Sequence, residues 1–156
     1  MKRLALLSIA LVALAITSAS AHDYTVGSLK IDHPWARATP KGATVAGAYM
    51  KITNTGTTAD RLVGGTTDAA QKFEIHEMSM EGGVMKMREL PNGLEIPAGA
   101  TVELKPGAFH VMMTGVSKPF VKGERVKAAL TFENAGKVDV EFAVEAVGGN
   151  PAEHKH

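Results

Sequence analysis

The 156-residue sequence contains no cysteine, and that absence removes several kinds of chemistry at once. No disulfide can staple the fold. A Cys/His structural zinc site and a blue-copper centre with its His₂Cys set are both excluded, because each needs thiolate. A lipid-anchored lipoprotein is excluded too, since no cysteine is available for acylation. Charge of one sign is also missing. Lys plus Arg number 17 and Asp plus Glu 16, so there is neither the basic surface of a nucleic-acid binder nor an acidic tail. Long apolar runs are absent as well. The best, Leu4 to Ile16, is interrupted only by Ser8 and falls short of the roughly 20 residues that cross a bilayer. Finally, Ser79 and Ser117 have no nucleophile elbow or triad around them, and Gly64-Gly65 and Gly82-Gly83 lack the residues of a phosphate-binding loop.

The first residues carry an export signature instead. Lys2 and Arg3 form a positive n-region, Leu4–Ile16 the apolar h-region, and Ala19-Ser20-Ala21 a small-x-small cleavage site. Residues 1–21 are therefore expected to be a secretory signal peptide cut after Ala21, with no stable membrane insertion afterwards. Loss of the two positive charges Lys2 and Arg3 takes the formal net charge from +1 to −1. What remains suits one ordinary domain, large enough to bury a core without staples. That domain is expected over 22–147, with 148–156 as a flexible tail.

Short apolar stretches alternate with Gly, Pro, Asn and Asp punctuation, which predicts an all-β sandwich or Greek-key barrel. Strands are predicted at Tyr24–Ile31, Ala46–Thr53, Arg61–Asp68, Phe73–Met80, Val84–Glu89, Thr101–Leu104, Phe109–Thr114, Arg125–Phe132 and Val138–Val144. Trp35 is expected to pack at an end of the barrel. Arg37 is expected either to bind a carboxylate such as Asp60 or to stay solvated.

Eight methionines are present, and six of them lie between Met78 and Met113. In a cysteine-free exported chain, any soft-metal site must use their thioethers. Side chains two apart share a strand face. His76, Met78 and Met80 therefore share one face, and Met85, Met87 and Glu89 share a face of the next strand. The Glu81-Gly82-Gly83 turn should pair these strands as a hairpin. A turn centred on Gly82-Gly83 sets Met78 opposite Met87 and Met80 opposite Met85. A turn centred on Glu81-Gly82 sets His76 opposite Met87. Periodicity leaves both registers open. Further on, His110 and Met112 share a face and Met113 points the other way. Thioethers favour Cu(I) and imidazole accepts several metals, so two His with two Met form a neutral set suited to Cu(I), or to Ag(I) as its mimic.

Several segments resemble a known family, the PCu(A)C periplasmic copper chaperones. They include Pro34-Trp35-Ala36-Arg37, Gly47-Ala48-Tyr49-Met50, Asp60-Arg61-Leu62-Val63 and His76-Glu77-Met78. They continue with Gly83-Val84-Met85-Lys86-Met87-Arg88, Leu94-Glu95-Ile96-Pro97-Ala98-Gly99, Leu104-Lys105-Pro106-Gly107 and His110-Val111-Met112-Met113. The resemblance implies a cupredoxin-like β-barrel that holds Cu(I) with His76, Met87, His110 and Met112. It is the family spacing that selects Met87 over Met78, Met80 and Met85, which stand as auxiliary thioethers able to take over a ligand position during transfer. It also implies delivery in the periplasm to an acceptor, either subunit II of cytochrome c oxidase or another copper chaperone. The alternative is a copper or silver scavenger with no dedicated acceptor. A copper oxidase or monooxygenase using His22 would need Cu(II)/Cu(I) cycling and an open coordination position, which a His₂Met₂ set argues against, so no enzyme activity is expected. A metal-free β-sandwich adhesion module would tolerate His76→Ala and Met112→Leu. His22, exposed as the new N-terminus, and His154 with His156 in the tail are candidates for a second, weaker Cu(II) site. His33 is read as structural or surface.

Overall fold

The computed structural model describes residues 23–146. The expected signal peptide, His22, His154, His156 and the expected C-terminal tail therefore lie outside the described residues. Among those described there are eleven strands and no helix. In chain order they are β1 Tyr24–Val26, β2 Leu29–Arg37, β3 Val45–Asn54, β4 Asp60–Thr66, β5 Lys72–Glu81 and β6 Val84–Glu89. They continue with β7 Leu94–Ile96, β8 Thr101–Leu104, β9 His110–Thr114, β10 Arg125–Phe132 and β11 Gly136–Glu145. All join one sheet in the order β6-β5-β9-β3-β2-β11-β10-β4-β7, with β1 added on β2 and β8 on β3. Every pairing is antiparallel except that of β11 with β2.

Alternation builds the core. Along β10, Val126, Ala128, Leu130 and Phe132 are buried while the residues between them are not. Ala46, Ala48, Met50 and Ile52 of β3, Val111 and Met113 of β9, and Val140, Phe142 and Val144 of β11 join the same apolar cluster. Phe73 packs against Phe142 with ring centres 6.5 Å apart, which ties β5 to the far half of the sheet.

The structure sharpens three predicted features. The stretch Tyr24–Ile31 is not one strand: Gly27, at φ 55°, turns the chain so that Val26 pairs with Leu29. The second of these strands then runs on through Pro34 to Arg37. Proline, which has no N–H to donate, is tolerated there because the ladder with β3 is interrupted between Asp32 and Trp35. His33, at φ 47°, is the only described non-glycine residue with positive φ and sits in that bulge. Next, Trp35 packs on a neighbouring aromatic ring. It lies 4.5 Å, centre to centre, from Tyr49, and both are buried outside the main cluster, on the sheet face away from Ala36 and Ala48. Finally, Arg37 does not meet Asp60. Its guanidinium lies 5.9 Å from the centre of the Tyr49 ring. Asp60 instead accepts hydrogen bonds from the backbone N–H groups of Arg61, Asn134 and Ala135, and so organises the β10–β11 turn.

Candidate metal site

The site is assembled where β5 lies between β6 and β9. Ile75 is paired with Val111, so the next pair along, His76 with His110, is directly cross-strand. Ile75 and Val111 are buried in the core, which turns both histidines to the opposite face. Their ring centres are 5.7 Å apart. With nitrogen–metal bonds of about 2 Å, two imidazoles on one ion stand with ring centres roughly 5–6 Å apart, so the pair matches a shared ion.

Hydrogen bonds assign the tautomers. His110 Nδ1 donates to the Ala108 carbonyl at 3.1 Å, which leaves the lone pair on Nε2. His76 Nε2 donates to Glu74 Oε2 at 2.9 Å, an arrangement that puts the lone pair of the neutral ring on Nδ1. That Nδ1 is buried and has no hydrogen-bond partner. A buried acceptor of this kind costs about 1–3 kcal/mol when left unsatisfied, and a bound ion would satisfy it. A carboxylate or carbonyl on the second ring nitrogen is the usual support for a ligating histidine. Burial holds His110 below the ordinary imidazole pKa, with its backbone hydrogen bond opposing and neighbouring His76 reinforcing the shift. The ring is therefore neutral, the form that binds metal, at and somewhat below neutral pH.

The thioethers follow from the same registers. Met112 lies opposite Glu74 on one side and Gly47 on the other, on the His110 face. A Cβ at position 47 would stand 2.7 Å from the Tyr49 hydroxyl, so only glycine lets the tyrosine fold back there. Burial pushes that phenol's pKa up, partly offset by Arg37. The hairpin turn is centred on Gly82-Gly83, both at positive φ as a two-residue hairpin turn requires. Met78 is thus opposite Met87 and Met80 opposite Met85, while His76 faces Glu89 and has Met87 on the diagonal. Cross-strand diagonals are about 7–8 Å apart, within reach of a long side chain. Met113 points into the core.

His33 is remote from this cluster in the sheet order, and its Nε2 lies 3.1 Å from Glu145. Among the described residues, no three His, Asp or Glu side chains converge to hold a metal ion. The cluster therefore offers two nitrogens and surrounding thioethers rather than a hard, oxygen-rich cage. A surface concavity of about 600 Å³ lined by Tyr24, Thr66, Lys127 and Glu141 brings no histidine or methionine together. No sequence motif marks the supporting role of Glu74, although period-two alternation places it on the His76 face.

An all-β fold with paired imidazoles and methionines on the same sheet face describes a cupredoxin-like domain with a candidate soft-ligand site. Comparison with solved structures agrees on the fold. The copper-bound PCuAC domain from PmoF2 superposes with a TM-score of 0.69 at 32% identity, covering 81% of this chain and 99% of that one. The apo PCuAC domain from PmoF1 gives 0.69 at 30%, covering 81% and 100%. The Cu(I) form of DR1885 from Deinococcus radiodurans gives 0.62 at 28%, covering 84% and 85%. The chain belongs to the LpqE-like family, whose model, described as "Putative lipoprotein LpqE-like", matches residues 29–144. It is also 31% identical over 127 residues to "Putative lipoprotein Lxx21020" of Leifsonia xyli subsp. xyli, covering 81% of this chain and 75% of that protein. The 156 residues hold no cysteine. No helix among the described residues is long and apolar enough to cross a membrane.

Proposed function

We propose that the chain is an exported metallochaperone that binds Cu(I) through His76, His110, Met112 and Met87 and passes it to an acceptor protein. The observation that carries this reading is the directly cross-strand His76–His110 pair, with tautomers that leave one lone pair on each ring. Met112 shares the His110 face, and Met87, the methionine singled out by the family spacing, is diagonal to His76. A neutral N₂S₂ set matches a soft monovalent ion and does not stabilise Cu(II). The copper-bound PmoF2 domain and the Cu(I) form of DR1885, both similar to this chain, support the choice of metal. Export through residues 1–21 to the periplasm and delivery toward the copper centre of cytochrome c oxidase complete the proposal. Half-exposed Met87 supports the transfer step, because one ligand can exchange from solvent.

Anaerobic Cu(I) titration against a chromogenic chelator tests the site. One tight Cu(I) per chain, lost in both His110→Ala and Met112→Leu, is the expected result. Equal binding in all three proteins would end the proposal.

A further inference from the structure

The β5–β6 hairpin has two chemically different faces. On one face, Arg88 donates two hydrogen bonds to Glu77 and Lys86 pairs with Glu81, so the strands are clasped by salt bridges. On the other, Met78 is opposite Met87 and Met80 is opposite Met85. These four thioethers form two rungs of a ladder that leads away from His76 toward the turn. Met78 is partly buried, and no core explains the other three. All six residues of β6 are exposed, and Met80, Met85 and Met87 are 64%, 45% and 50% accessible. Buried methionine is ordinary gap filler, but Met85 and Met87 on the open edge strand β6, and exposed Met80 opposite Met85, have nothing to fill. The charges that protect this edge, Lys86 and Arg88, lie on the other face, and β-branched residues would suit the methionine positions better. What four thioethers supply there is soft, neutral coordination.

We propose that the outer rung, Met80 with Met85, is a second binding point for a soft monovalent cation, Cu(I) or Ag(I). From it the ion steps through the Met78–Met87 rung to the histidine pair. The dimensions allow it. Opposed side chains in a ladder start with Cβ atoms about 4.5–5.5 Å apart. Two sulfurs sharing one ion at about 2.3 Å each stand up to about 4.6 Å apart. Successive rungs are about 7 Å apart along a strand, a short step for an ion handed between long, unbranched side chains. Because Met87 belongs to both the ladder and the proposed His/Met set, the final step rests on the copper-binding reading above. The outer rung does not.

The test uses the full chain labelled with ¹³C at the methionine ε-methyl groups, titrated anaerobically with Cu(I) and followed by NMR. In the unmodified protein the first equivalent should shift the Met87 and Met112 methyls, and further Cu(I) should shift Met80 and Met85. In His110→Ala the Met80 and Met85 shifts should persist, and in the Met80→Leu/Met85→Leu double variant the second equivalent should be lost while the first is kept. No shift at Met80 and Met85 in excess Cu(I) would overturn the outer rung, even if the histidine site fills normally. Shifts that disappear in His110→Ala would overturn it as an independent binding point. Failure of the histidine site shows up separately, as absence of the first, His110-dependent equivalent, and leaves the outer rung to be judged on its own methyls.

Discussion

The two strands that flank β5 differ in almost everything except the face they share. On its inner face β9 is anchored: Val111 and Met113 are fully buried in the core, and on the site face His110 is held by the Ala108 carbonyl. β6 is exposed throughout and pairs only with β5. One proposed ligand set thus spans a rigid strand and an open one. The anchored side presets the position of the His110 nitrogen before binding. The open side leaves a sulfur ligand accessible to an incoming acceptor. An arrangement with all ligands on buried strands would hold metal more tightly and release it more slowly.

The contrast is broken most severely from inside β9. Met113→Ala should destabilise the fold by about 2–5 kcal/mol, as expected for truncating a fully buried methionine. Met87→Leu on β6 should stay within about 0.5 kcal/mol of the unmodified protein. Paired urea denaturation curves check both, and equal losses would mean that β6 is packed after all. His110→Ala comes next. Loss of a direct nitrogen ligand should weaken Cu(I) binding by more than about 100-fold, beyond the 10–100-fold typical of supporting residues. Glu74→Ala, which removes the partner of His76 Nε2, should fall inside that 10–100-fold range. Chelator competition measures both, and an unchanged affinity in Glu74→Ala would show that His76 needs no help in presenting Nδ1.

The smallest effect concerns pH. His110 is held below the ordinary imidazole range chiefly by burial. Between its folded pKa and the unfolded value of about 6.5, the unfolded chain binds a proton that the folded chain does not. Stability from this group is therefore present above about pH 6.5 and lost as pH falls toward the folded pKa. The urea midpoint should decline over that window, and His110→Gln should flatten the decline. An identical slope in both proteins would place the titration elsewhere.

Much of the fold was readable in the sequence because alternation is a local property. The buried faces of β3, β9, β10 and β11 follow directly from it. β7 is not legible in the sequence because three residues between two prolines carry too short a pattern, and they are a strand only because β4 pairs with them. The passage of β2 through Pro34 was hidden for a related reason: a bulge is visible only in the partner's register.

The same division runs through the candidate site. The sequence by itself determined that any soft-metal site must use thioethers, since there is no cysteine, and that His110 with Met112, and His76 with Met78, share strand faces. It left two hairpin registers open, and the choice fell to the backbone, where Gly82 and Gly83 both take positive φ. Whether His76 and His110 meet was beyond any local pattern. They are brought together by a strand pairing between distant parts of the chain, held in register by Ile75 and Val111 packing into one core. Side-chain direction is set residue by residue, but adjacency of strands is set by the burial they achieve together, and only the tertiary structure decides that.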